Sequence, residues 1–327
     1  MPAAKPKILI TDREVYLNEV QLVELGKRAN VVHAPNWEEL TLIAQAKGAD
    51  VIVHSFFPSI SAAVIGTSDN LKATVKYGVG TDNVDVETAT RLGVMVVNCP
   101  EYGTGTVADH AFALLISLAR KIPAIDHATK ETAWVWPTPE FIGVDLADKT
   151  IGFVGFGRIG RAMCKRAAGF DMQPIYYDPY VTQEEVAFTG ALSVGLDELL
   201  EHSDFVTIHC ILTPETRGLI DAAALRRMKV TANLIDVSRG AIIDEAALVQ
   251  ALDEGWIAGA GIDVFPVEPL TEGYPLLQAP NTILTSHLAW YTLEADARLA
   301  AECMNRITEI LDGNRPKNVI NRKALGL

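Results

Sequence analysis

One glycine triplet constrains the fold of this chain more than any other feature. Gly155-Phe156-Gly157-Arg158-Ile159-Gly160 stands between a strand-like run, Ile151–Val154, and a helical run, Arg161–Gly169. In that setting Gly155 permits a tight turn, Gly157 lets backbone approach a pyrophosphate, and Gly160 lets the helix close on the strand. The helix N-terminus at Arg158 and Ile159 offers free N–H groups and a positive dipole end to phosphates. Eighteen residues past Gly160, the next strand ends at Asp178. A carboxylate there accepts a hydrogen bond from a ribose 2′-OH and repels a 2′-phosphate. The expectation is a βαβ dinucleotide unit that takes NAD rather than NADP.

The rest of the chain continues the alternation. Strand candidates Lys7–Thr11, Val31–His33, Val51–His54, Ala73–Tyr77 and Val94–Asn98 are separated by amphipathic stretches Glu19–Arg28, Glu38–Ala46 and Ser59–Gly66. Thr104–Arg120 reads as one longer helix. A second series runs through Thr150–Gly155, Gln173–Tyr177, Phe205–Cys210, Asn233–Val237, Gly259–Val264 and Thr282–Thr285, and Leu293–Leu311 forms a last helix closed by Asp312-Gly313. Strands alternating with helices imply parallel sheets. The fold class is therefore α/β, with two Rossmann-like domains, one flavodoxin-like and one dinucleotide-binding, and a cleft between them. The last helix has no strand partner in the second series and is read as returning to the first unit, in part on the resemblance given below; the expected boundaries are 1–100 plus 289–327 for a discontinuous substrate domain, and 101–288 for the NAD-binding domain.

Composition narrows the partners. The 327 residues carry 28 basic and 41 acidic side chains, a net charge of −13. That disfavours nucleic acid and anionic membranes and favours small molecules or other proteins. No apolar run approaches the length of a membrane span, and the MPAAKPKILITDR start has too short an apolar stretch for an export signal. Cys99, Cys164, Cys210 and Cys303 are scattered, without metal-ligand spacing. They read as reduced thiols of a cytoplasmic protein with no metal.

Three polar residues each follow a strand of the second series: Arg239 in Asn233-Leu-Ile-Asp-Val-Ser-Arg-Gly240, Glu268 in Gly261-Ile-Asp-Val-Phe-Pro-Val-Glu-Pro269, and His287 in Leu284-Thr-Ser-His-Leu-Ala-Trp-Tyr291. Ligands of such sheets bind beyond the strand carboxyl ends, so the three are expected to converge. His33, His54, His110, His127, His202 and His209 read as structural, with His110 the one that could approach the cleft. Trp134 and Trp136 read as dimer or packing aromatics.

With these motifs in order, the chain resembles the D-isomer-specific 2-hydroxyacid dehydrogenase family. The resemblance runs from Lys76-Tyr-Gly-Val-Gly-Thr-Asp-Asn-Val-Asp85 through Gly155–Gly160 with Asp178, Pro214-Glu-Thr-Arg-Gly218, Ser238-Arg-Gly240, Asp263-Val-Phe265 and Glu268-Pro269 to His287. The His-Leu-Ala-Trp-Tyr segment and Tyr177-Asp-Pro-Tyr180 are similar to the branch containing the C-terminal-binding protein corepressors and their bacterial relatives. The resemblance implies His287 as acid/base, Glu268 as its partner and Arg239 as the substrate clamp. It implies a carboxylate-binding loop at Gly78, Val79 and Gly80, with Lys76 adding a cation. Asp263 and Val237 join the cofactor contacts, and the assembly is a homodimer. Tyr77 is expected to wall the substrate side-chain pocket, and Trp290 either to wall it as well or to serve as core packing or a helix-start anchor. Departures are Asp109 for Glu, Asp236 for Asn, Ser286 for Pro and a bulkier Tyr77. Two rivals stand beside a 2-keto acid reductase: an NAD(H)-sensing regulator with weak activity, and a D-3-phosphoglycerate dehydrogenase.

Overall fold

The computed structural model describes residues 5–12, 15 and 17–327. Residues 1–4 and 13 of the segment read for an export signal lie outside that set. The chain divides into two compact units, Met1–Gly103 with Thr292–Leu327, and Thr104–Tyr291.

The first unit opens with β1 (Lys7–Ile10), α1 (Glu19–Arg28), β2 (Asn30–His33), α2 (Glu39–Ala46), β3 (Val51–His54), α3 (Ala62–Ile65), β4 (Ala73–Lys76), α4 (Val86–Arg91) and β5 (Met95–Val97). All strands are parallel, in the order β2-β1-β3-β4-β5. This is the flavodoxin-like order. Every residue of β3 and β4 is buried, as expected for a parallel sheet covered on both faces. Local chemistry sets the helix starts. Asn18 accepts from Gln21 N while Gln21 Oε1 accepts from Asn18 N, both at 2.9 Å, a reciprocal cap for α1.

The second unit holds α5 (Thr104–Ala119), α6 (Ile122–Thr132), β6 (Thr150–Val154), α7 (Arg158–Ala168), β7 (Gln173–Tyr177), α8 (Gln183–Val186), β8 (Leu192–Ser193), α9 (Leu196–His202), β9 (Phe205–Ile208), α10 (Ala222–Arg227), β10 (Asn233–Asp236), α11 (Glu245–Asp253), β11 (Gly259–Ile262) and β12 (Thr282–Leu284). Its parallel sheet runs β12-β11-β10-β9-β6-β7-β8. The chain works outward from β6 to β8, then returns to β9 on the other side of β6. The crevice beyond the carboxyl ends of β6 and β9 is therefore the topological switch point, where such sheets bind ligands. α5 lies against β10, β11 and α7, and Leu114 and Leu118 fit against Gly261.

After the second unit, α12 (Leu293–Leu311) belongs to the first. It buries Leu299, Cys303, Ile307 and Ile310. The residues beyond it cover the exposed side of β5. Ile320 N donates to Val96 O at 2.8 Å, Val319 bridges Val97 in antiparallel fashion, and Asn321 Oδ1 accepts from Val96 N at 3.0 Å. An edge strand is thus closed by the chain's own tail. Among the described residues, no helix is long and apolar enough to cross a membrane.

Candidate active site

At the switch point, Gly155 has φ +90°, and a Cβ there would fall 2.4 Å from Cys210 N and 2.6 Å from Cys210 Cα. The turn after β6 thus rests directly on the backbone after β9, which only glycine allows. Gly157 caps α7 without any side-chain hydrogen bond, and the space a Cβ would take there is open. The first-turn N–H groups, Arg158 and Ile159 among them, meet no capping side chain. Asp178 lies against this turn, its Oδ2 accepting from Phe156 N at 2.8 Å and its Oδ1 from Tyr180 N at 2.9 Å. Each oxygen keeps acceptor capacity for a sugar hydroxyl. An uncapped helix mouth beside a carboxylate fits the phosphates and ribose of a dinucleotide. Val237 is buried among the α5 and α7 side chains, so it can offer a ligand only its main chain.

Arg239, Glu268 and His287 follow β10, β11 and β12, three neighbours in the sheet. Glu268 Oε1 accepts from Phe265 N at 2.8 Å, and its Oε2 lies 2.8 Å from His287 Nδ1. An ionised carboxylate only accepts, so Nδ1 carries the proton and Nε2 is left to take or give one. Burial alone would raise the Glu268 pKa. The His287 hydrogen bond and charge, the Phe265 N–H and Arg239 outweigh it and hold the carboxyl below its usual value. Arg239 Nη1 donates to Ser238 O at 2.7 Å. The Arg239 and Glu268 segments are locked together at Gly240, where a Cβ would fall 2.2 Å from Phe265 C and 2.5 Å from Pro266 N.

His287 itself adopts φ +57°, uncommon for a non-glycine residue. Its surroundings over-determine that conformation. His287 N donates to Asp263 O at 2.7 Å. Asp263, fully buried, takes Leu288 N at 2.9 Å, Ala289 N at 3.0 Å and the Thr285 hydroxyl at 2.5 Å on its carboxylate. Sequence reasoning gave Asp263 a cofactor contact and missed this anchoring of the His287 backbone. The only signal was a lone Asp at a strand end. Asp236, which stands where the family has Asn, is also fully buried, and burial pushes its pKa up to about 7 against the opposing pull of Ser238 and Arg239.

Two expectations in the first unit need correction. Lys76 is only 4% exposed, and its ammonium is engaged by Ser55 O, by Asn83 Oδ1 at 3.0 Å and by the Phe56 ring. Tyr77 is 2% exposed and donates to Asp296 Oδ1 at 3.1 Å, so it is core rather than pocket wall. The cause is β4, which is buried on both faces, so either side-chain direction leads inward. The turn that follows differs: Gly78 takes φ +142° and is buried, Val79 is exposed and Gly80 is half-buried. In the second unit Trp290 is nearly buried, edge-on to Tyr291 at 5.1 Å. Among the described residues, no group of three His, Cys, Asp or Glu side chains could hold a metal.

Residues 112–289 match the family described as D-isomer specific 2-hydroxyacid dehydrogenase, NAD binding domain. The chain belongs to that family. A glyoxylate reductase of Korarchaeum cryptofilum is 40% identical, over 87% of this chain and 86% of its own length. A D-3-phosphoglycerate dehydrogenase of Mycobacterium bovis is 36% identical over 97% of this chain, which spans 59% of that longer protein. A D-lactate dehydrogenase from Aquifex aeolicus, solved with NAD and lactic acid, superposes with a TM-score of 0.85 at 25% identity, covering 94% of this chain and 96% of that one. The protein is thus an NAD-dependent D-2-hydroxyacid dehydrogenase, and its glycine turn and Asp178 lie within the matched domain.

Proposed function

We propose that the dehydrogenase reduces a small, unphosphorylated 2-keto acid to its D-2-hydroxy acid. The observation that carries this reading is the His287–Glu268 pair at 2.8 Å, with Arg239 close enough to act on the Glu268 charge. When bound, NADH supplies the hydride. His287 Nε2 donates the proton to the carbonyl oxygen, and Glu268 keeps the ring oriented through its contact with Nδ1. Arg239 offers its fork to the substrate carboxylate and to the charge growing on that oxygen. An intact pair of this kind supports turnover over a purely sensory role.

Lys76 supports the choice of substrate. A phosphorylated acid brings a second anionic group needing its own cations, and the Lys76 ammonium is already committed inside the first unit. The test is kcat/KM across glyoxylate, pyruvate, hydroxypyruvate, phenylpyruvate and phosphohydroxypyruvate. The phosphorylated acid should rank last, and its ranking first would establish the phosphoglycerate reading instead.

The Glu268 pairing sets a kinetic signature. Glu268→Gln leaves the ring without its carboxylate partner, so kcat for reduction should fall by ~10-fold through loosened positioning. An unchanged kcat would break the pairing. For the cofactor, Asp178→Ala should narrow the NADH-over-NADPH preference by ~10-fold or more, since relieving ~1.4 kcal/mol of repulsion is tenfold. Equal use of both cofactors by the unaltered enzyme would overturn the role of Asp178.

We further propose a cytoplasmic homodimer. Its support is four free thiols and, in the second unit, α6, which buries none of its residues, followed by Trp134 and Trp136 at 67% and 74% exposure.

A further inference from the structure

We infer that His110 is a positioning residue for His287, acting through Thr285 and Asp263. The inference rests on the reading of His287 as the proton donor. His110 projects from α5, and its Nε2 lies 3.0 Å from Thr285 Oγ1 and 3.7 Å from Asp263 Oδ1. The donor order follows from counting protons. Thr285 has one hydroxyl hydrogen, and at 2.5 Å that hydrogen goes to Asp263 Oδ1. The hydroxyl oxygen can then only accept, so His110 Nε2 is the donor, whichever charge the ring carries.

The chain of contacts ends at the backbone of the active histidine. Asp263 Oδ1 receives Thr285 and Leu288 N, Oδ2 receives Ala289 N, and the Asp263 carbonyl receives His287 N. These bonds span residues 285–289 and hold His287 at φ +57°. A non-glycine residue keeps such a conformation only where its neighbours over-determine it. His110 fixes the rotamer of Thr285, and Thr285 in turn fixes the Asp263 carboxylate. Without His110 the hydroxyl is free to rotate away, and the His287 segment loses one of its restraints.

The experiment compares His110→Ala, His110→Gln, Thr285→Val and the double variant His110→Ala/Thr285→Val in the full chain, with NADH and pyruvate or glyoxylate. His110→Ala should lower kcat by ~10-fold, as loosened positioning does, with KM and the NADH Kd within about twofold of the unaltered enzyme. His110→Gln, whose amide N–H can still donate, should recover most of the loss. Thr285→Val should match His110→Ala, and the double variant should be no worse than either, because both act through one path. Wild-type kcat in His110→Ala overturns the inference. So do losses that multiply in the double variant, or a Gln variant as poor as Ala, which would mark a packing role. His287→Gln separates the two readings: an active variant removes the base, whereas an inactive one beside a fully active His110→Ala removes only the positioning role.

Discussion

His287→Gln is expected to lower kcat for keto-acid reduction by ~10²-fold or more while NADH still binds with near-native affinity. Glutamine retains a donor at roughly the place of one ring nitrogen, so packing and the Glu268 contact suffer little. It cannot exchange a proton near neutrality. The cofactor features lie elsewhere in the sheet, at Gly155–Gly160 after β6 and Asp178 after β7. Stopped-flow binding of NADH and steady-state kcat measured on one preparation would check both halves. A variant that keeps a tenth of the activity would move the proton-transfer role to another residue.

Gly240→Ala should be among the most damaging single methyl additions in the second unit. A Cβ at residue 240 would meet Phe265 C at 2.2 Å and Phe265 Cα at 2.4 Å. Both are backbone atoms, so no side-chain rotation relieves the clash, and two strand-end segments must separate. Overpacking of this kind costs about 3 kcal/mol or more. At about 2–4 °C per kcal/mol for a domain of this size, Tm should fall by roughly 6 °C or more. The same separation pulls Arg239 from Glu268, so activity should fall even below the melting range. A variant with native Tm and native kcat would show that the two segments can part without consequence.

The legibility of the chain followed its physics. Every strand but β8 was readable to within a residue or two because buried parallel strands are short runs of β-branched residues; β8, two exposed residues long, carries no such run. The glycine turn, Asp178 and the strand-end placement of Arg239, Glu268 and His287 were readable because the sheet's carboxyl ends impose them. The direction of Lys76 and Tyr77 was not, because a strand buried on both faces has no alternation to read. α6 was missed, since Ile122–Thr132 buries nothing and so carries no core-facing stripe. The anchoring role of Asp263 and the link through Thr285 to His110 join residues far apart in sequence, and only the register of β11 beside β12 and the placing of α5 bring them together.

The closure of β5 by Val319–Asn321 also sets an order of events during synthesis. A nascent chain that has emerged as far as residue 291 carries everything the second unit needs. The first unit, although begun earlier, still lacks α12 and the segment that caps its outermost strand. Domains fold as units once their residues are available, so the middle of the chain can reach its native state while the beginning waits. During that interval an unpaired strand edge is open to other chains, and a chain terminated between residues 291 and 319 would carry a finished cofactor domain beside a five-stranded sheet whose β5 edge stays open to association.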